Sequence, residues 1–394
     1  MIYKIIYTVC LVLFISTTIQ AQDSIEKVLL EIKKNNKSIK ANQQNTEAKK
    51  LQYKTGLALK NPSIEFEYLI GSPVGSGNQT DFFALQSFDF PTAYRKKKQV
   101  SKLQIEESDF QLATIMRIIL FEAKKTCIEM VFCHKTRLTL KERLRNTEKL
   151  DSDYQTKLSN GSVNVLDANK AKLELINLQN AIRYNTSKII QLNQRLTELN
   201  GGVPISFNDV SYQIPPSLPA FNSLMDSIIS NDPTLNVLQK EVEIKQKKME
   251  LSKAMALPKI ETGYRYQSIL GQQYKGVHFG LTIPLWENKN KVKFNAAQTL
   301  FSEVKIEEYK NKHYSEVQQL YEKYQSLNST LLEYKQILAT IDNTVLLGKS
   351  LRLGEISYIQ YFMEISYFNT SYDKYLELEK EYNIVIAELY KYRL

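Results

Sequence analysis

A chain of 394 residues, 43% hydrophobic and 24% charged, has enough apolar material for a large folded core, which excludes a disordered chain. Three cysteines and three histidines exclude a disulfide framework and a histidine-rich metal site. The net charge of +10 is spread along the chain except for one dense run, Arg95 to Lys98, which lacks the aromatic interleaving of a nucleic-acid module.

The N-terminus reads as a secretory signal. Lys4 supplies the positive start, Ile5 to Ile15 is largely apolar, and Ile19-Gln20-Ala21 offers a cleavage site before Gln22. The other reading is a membrane anchor, but the run is short for a span and no positive cluster follows it closely. Cys10 lacks the small residues that precede a lipid-anchored cysteine. Removal of 1–21 leaves Cys127 and Cys133, six positions apart on one predicted helix and pointing to different sides, so they cannot bridge.

A first helix is predicted over Ser24 to Leu59, ended by Asn61-Pro62. A hairpin follows over about 62–91, with the Gly-rich stretch Gly71 to Asn78 as its tip. From Thr92 to Leu199 there is no proline and one glycine, Gly161, which predicts two very long helices joined by a short turn. The segment 201–219, with four prolines, is an irregular connection. The plan then recurs: a helix from Phe221 to Ala256, a hairpin over about 258–286, and helices on either side of Gly354.

The second hairpin carries the clearest pattern in the chain. Val277, Phe279, Leu281, Ile283 and Leu285 alternate with His278, Gly280, Thr282 and Pro284, which puts the apolar side chains on one strand face. Ile260, Thr262, Tyr264 and Tyr266 do the same on the preceding strand, around a tip at Leu270 to Gln273. A hairpin among long helices cannot bury such a face unaided and needs partners or a membrane.

Landmarks recur at nearly constant spacing. Pro62, Ile64, Glu65 and Tyr68 match Pro258, Ile260, Glu261 and Tyr264 at an offset of 196, while Pro91 and Pro284, and Leu158 to Gly161 and Leu351 to Gly354, match at 193. The halves 22–200 and 220–394 therefore read as one supersecondary unit duplicated. The helix after Gly161 has a seam at steps of three and four (Ala168, Ala171, Leu175, Leu178, Ile182, Asn185), and the helix after Gly354 repeats it from Tyr358 and Tyr361 onward. A 3.5-residue period fits coiled-coil packing and equally an ordinary bundle core, and the length of the helices decides for a coiled coil.

No catalytic constellation appears. His134, His278 and His313 lack metal-ligand spacing, and Gly71 to Gly77 lacks the lysine and following helix of a phosphate loop. No cofactor, metal or nucleic-acid partner is expected. The run Arg95 to Lys98 reads either as a solvated helix start or as a contact for lipid head-group phosphates.

The order signal, helix, hairpin, long helix, Gly turn, long helix, with the second part repeated, resembles the TolC-like outer-membrane efflux proteins over essentially the whole mature chain. Its specific carriers are the turns Leu158 to Ala168 and Leu351 to Ile356, and the hairpins closed by Pro91 and Pro284. The resemblance implies a mainly α fold with a small β part, in which a homotrimer forms an α-barrel continuous with a 12-stranded β-barrel. It implies an outer-membrane location in a Gram-negative-type envelope, reaching into the periplasm. The expected role is a passive exit duct of a tripartite efflux or type I secretion system, with a periplasmic adaptor and an inner-membrane pump as partners and outer-membrane lipid around it.

Carried over residue by residue, Leu158, Gly161, Ser162, Val163, Leu351, Gly354, Glu355 and Ile356 become candidates for the periplasmic tip and adaptor docking. Asp167 matches an acid of the family's closing network. Val277, Phe279, Leu281 and Ile283 are expected to face lipid, and His278, Gly280 and Thr282 the lumen. The second turn departs from the family, with Gln360 and Met363 in place of its aperture acids and Leu351 in place of its gating aromatic. The rival reading is a periplasmic or secreted coiled-coil scaffold with no transport activity, which does not require a long apolar strand face.

Overall fold

The computed structural model describes residues 24–213, 217–341 and 344–394. The signal read over 1–21 lies outside them, as do 214–216 of the connecting segment. The elements in chain order are α1 (Ser24–Asn35), α2 (Lys37–Tyr53), β1 (Ser63–Leu69), β2 (Gln79–Phe88), α3 (Pro91–Ser159) and α4 (Val165–Leu199). They continue as α5 (Phe221–Ser230), α6 (Pro233–Ala254), β3 (Lys259–Ile269), β4 (Gln272–Thr282), α7 (Lys291–Thr340), α8 (Thr344–Leu353) and α9 (Tyr358–Leu389).

Three helices expected to be continuous are interrupted. The first breaks at Asn36, whose Oδ1 accepts from the Ile39 N–H at 2.8 Å while its Nδ2 donates to the Leu199 carbonyl at 2.7 Å. The helix expected from Phe221 to Ala256 breaks before Pro233, which lacks an N–H and sits at the first position of α6. Asp232 caps that start, its Oδ1 accepting from the Thr234 N–H at 3.0 Å. Before Gly354, α7 ends at Thr340 and helix resumes at Thr344.

The chain divides into two compact units, and each takes residues from both halves of the sequence. Of the described residues, the first comprises those within 24–40, 116–231 and 315–394, the second 41–115 and 232–314.

In the first unit, Ile25, Val28 and Ile32 of α1 pack with Leu120, Cys127 and Met130 of α3 and with Ile189, Leu192 and Leu196 of α4. Phe207, from the connecting segment, is buried in the same cluster. A second cluster joins Leu224 and Ile228 of α5, Val317 and Leu327 of α7, and Val385 and Leu389 of α9. Both clusters thus use the corresponding three helices of their half. The buried residues of α4 include Ala168, Ala171, Leu178, Asn185, Ile189, Leu192 and Leu196, the seam anticipated from spacing. Cys127 and Cys133 are buried and free. Burial pushes the Cys127 thiol up to about 12, so it stays neutral.

The second unit contains one antiparallel sheet in the order β1-β2-β3-β4. The two hairpins are joined through β2 and β3, with Phe82 opposite Tyr266 and Ala84 opposite Tyr264. The β3–β4 turn has only two central residues, Leu270 at φ 50° and Gly271 at φ 81°, between the paired Ile269 and Gln272. Two positive φ angles match the right-handed twist of the flanking strands.

Candidate functional site: twin glycine turns and a two-faced sheet

The site begins with two helix ends built alike. Gly161 follows α3 at φ 68° and Gly354 follows α8 at φ 77°, the left-handed region that glycine enters at little cost. At the first, Gly161 N–H donates to the Leu158 carbonyl at 3.0 Å and Ser162 N–H to the Lys157 carbonyl at 2.8 Å. At the second, Gly354 N–H donates to the Leu351 carbonyl at 3.2 Å and Glu355 N–H to the Ser350 carbonyl at 2.9 Å. These bonds satisfy carbonyls that the helix ends leave open.

Three residues after each glycine a cap starts the next helix. Asn164 Oδ1 accepts from the Asp167 N–H at 2.9 Å, and Ser357 Oγ accepts from the Gln360 N–H at 3.2 Å. Gln360 completes a capping box by accepting from the Ser357 N–H at 2.9 Å. Asp167 holds the equivalent position, where its carboxylate accepts from Asn164 Nδ2 at 3.0 Å and lies 3.6 Å from Lys170 Nζ. An acid in a first helical turn also suits the helix dipole. Asp167 and Gln360 are both cap partners of their own helices.

The two turns share one apolar cluster. Tyr154 and Ala171, Leu351 and Tyr358 form its buried centre, and Val163 and Ile356 pack against it from the two turns. The Tyr154 and Tyr358 ring centroids are 4.7 Å apart. Of the residues anticipated at the tip, Leu351 is in this core, whereas Leu158, Gly161, Ser162, Gly354 and Glu355 are not buried. Sequence reasoning missed Tyr154, although an aromatic seven residues before Gly161 and another four after Gly354 were visible signals.

The sheet has two chemically different faces. Its register puts Ile64 and Phe66, Phe82 and Ala84, Tyr264 and Tyr266, and Val277 and Phe279 on the same side. Among the described residues nothing covers the β4 end of that side: Val277 is 85% and Phe279 70% exposed, and Leu281 is exposed too. Ile283 is exposed but lies just past the end of β4.

The opposite side carries Glu65, Glu67, Asp81, Glu261, Arg265 and His278. His278 Nε2 lies 3.3 Å from Glu261 Oε1, and the Arg265 guanidinium lies over the Phe83 ring at 5.0 Å. Among the described residues, strands β1 and β4 each keep one edge without a strand partner.

Two of the four cations in the run at the start of α3 are paired: Lys97 Nζ is 2.8 Å from Asp89 and Lys96 Nζ 2.5 Å from Glu250. Among the described residues, no group of three or more His, Cys, Asp or Glu side chains is placed to hold a metal, and no helix is long and apolar enough to cross a membrane.

No protein-family model matches the chain, and no curated protein does. Solved structures do. CusC, described with conformational changes accompanying folding and transmembrane channel formation, superposes with a TM-score of 0.79 at 16% identity, covering 94% of this chain and 92% of CusC. The CmeC outer-membrane channel of Campylobacter jejuni gives 0.71 at 15% identity, covering 94% and 85% of the two chains. The open state of the Neisseria gonorrhoeae MtrE outer-membrane channel gives 0.71 at 13%, covering 93% and 88%. Agreement of this extent at such low identity concerns the arrangement of the backbone: the chain has the fold of the TolC-like outer-membrane channels.

Proposed function

We propose that three copies of this chain close one 12-stranded barrel in the outer membrane and serve as a passive exit duct for solutes. The observation that carries this reading is the sheet. Its exposed apolar side would be costly in water, and its open edges would be forbidden in lipid. Joining β4 of one copy to β1 of the next removes the edges, turns Val277, Phe279 and Leu281 toward lipid and encloses the charged side as a wet lumen. Strands of 10–11 residues in β2, β3 and β4 match the length needed to span a bilayer when tilted. A secreted scaffold has no use for that face.

The helical part then lies in the periplasm, and the twin glycine turns form its far end. Ser162 and Glu355, exposed beside the two glycines, are the residues we assign to contact with a periplasmic adaptor. An inner-membrane pump supplies the energy, and the chain performs no covalent chemistry on its cargo. The test is to add the purified, detergent-extracted protein to a planar lipid bilayer. Discrete ionic conductance steps are expected. Protein that neither inserts nor conducts, while retaining its helix content, contradicts the reading.

A further inference from the structure

Within the first unit a cavity of about 220 Å³ lies between α3, α4 and α9. One wall is aromatic and aliphatic: Tyr361, Phe362, Ile365, Phe368 and Tyr372 of α9 line it. The Phe368 and Tyr372 rings stack at 6.2 Å, as do Tyr358 and Phe362. The other wall brings in Arg143 of α3 and Glu174 of α4.

Two polar atoms of residues that line this cavity are buried without a partner. Arg143 gives both terminal nitrogens to Asp373, at 2.8 and 2.9 Å, and one of them also to the Asn369 carbonyl at 3.3 Å. That bidentate pair neutralises its charge, yet its Nε is buried with no acceptor. The Tyr358 hydroxyl is likewise buried without a partner, in a side chain only 4% exposed. Glu174 is half-buried, and burial lifts its carboxyl above the ordinary range even with Arg143 acting in the opposite sense. Burial, and next the Glu174 carboxylate, hold the Tyr358 phenol above its usual value, and both residues line the cavity. Buried polar groups are normally paired, and one left open is unfavourable.

We propose that this cavity binds a small protonated aryl-alkylamine. The ring lies against the aromatic wall, where apolar contact and the negative ring faces favour a cationic ligand. The ammonium donates to the Glu174 carboxylate, which lines the same cavity as the aromatic rings. With Arg143 matched by Asp373, Glu174 and the more exposed Glu142 set the sign of the cavity and exclude anions.

The test uses 2-amino-1-phenylethanol and mandelate, which share the phenyl ring and the carbinol but carry opposite charges. Binding of each to the full detergent-extracted protein is measured by equilibrium dialysis at neutral pH. Saturable binding of the amine, at least about tenfold tighter than mandelate, is expected. Glu174→Gln, which keeps the side-chain shape, should erase that preference, and Phe362→Leu should weaken the amine while keeping the preference for it over mandelate. Circular dichroism confirms that the variants are folded. Absence of saturable amine binding, equal binding of the two probes, or a preference that survives in Glu174→Gln overturns the proposal.

Discussion

Tyr154, in the last turns of α3, and Tyr358, in the first turn of α9, meet with ring centroids 4.7 Å apart and planes inclined at 55°. Each belongs to the helix beside a different glycine turn, so their contact joins the two turns into one structural end. Both side chains are buried. Truncating either should therefore cost about 3 kcal/mol, as removal of a buried aromatic does. A double-mutant cycle of Tyr154→Leu and Tyr358→Leu with the singles should show a coupling of about 0.5–1.5 kcal/mol. Hydrogen exchange at residues 155–165 and 349–357 is the readout, and additive effects there would remove the pair as the link.

Gly161 and Gly354 should respond to substitution through backbone strain alone, because a Cβ at either position meets nothing within 4 Å. Alanine in the left-handed region costs about 1–2 kcal/mol, and asparagine less. Thermal melts should rank glycine above asparagine, asparagine above alanine and alanine above valine at both sites. Valine equal to glycine at either one would show that the turn relaxes out of the left-handed region.

How far this end could be read in advance depended on range. The glycine turns and their spacing of 193 were legible, since a lone glycine in a proline-free helical run stands out locally. The meeting of Tyr154 with Tyr358 was not, because it comes from helices in different halves of the chain. Asn36 gave no local sign of a break either, for its partner is the carbonyl of Leu199. Asp232-Pro233 did carry a signal, an N-cap followed by proline at the first helical position, and an otherwise apolar helical pattern masked it. The strands were the most legible part, since period-two alternation is a short-range property.

The two faces of β4 should tolerate charge differently. Phe279 and His278 are adjacent along the strand and so at nearly the same depth, but on opposite faces. On the lipid side near mid-membrane, arginine costs about 2–4 kcal/mol. Phe279→Arg should sharply reduce assembled protein in the membrane fraction, whereas His278→Arg keeps a cation beside Glu261 and should assemble normally. Similar yields would contradict the assignment of the faces.

Glu107 gives a pH-dependent test in the second unit. Burial, and next the Glu241 carboxylate, raise its pKa above the ordinary glutamate range. The folded protein therefore holds this proton more tightly than the unfolded chain, so a cost to stability grows as the pH rises from the unfolded pKa to the folded one and is complete above it. The cost is absent below the unfolded pKa of about 4.3. Glu107→Gln, which retains a partner for the Gln111 amide now 3.1 Å away, should raise the melting temperature at neutral pH and lose that advantage in acid. A lower melting temperature at neutral pH would reverse the sign of this account.

The central claim is closure of the sheet by three copies, and the mass of the assembled particle tests it most directly. Native mass measurement of the protein extracted from membranes in mild detergent should give three chains per particle, with no smaller species at concentrations well above dissociation. A monomeric particle that retains its helices and its sheet would contradict the claim.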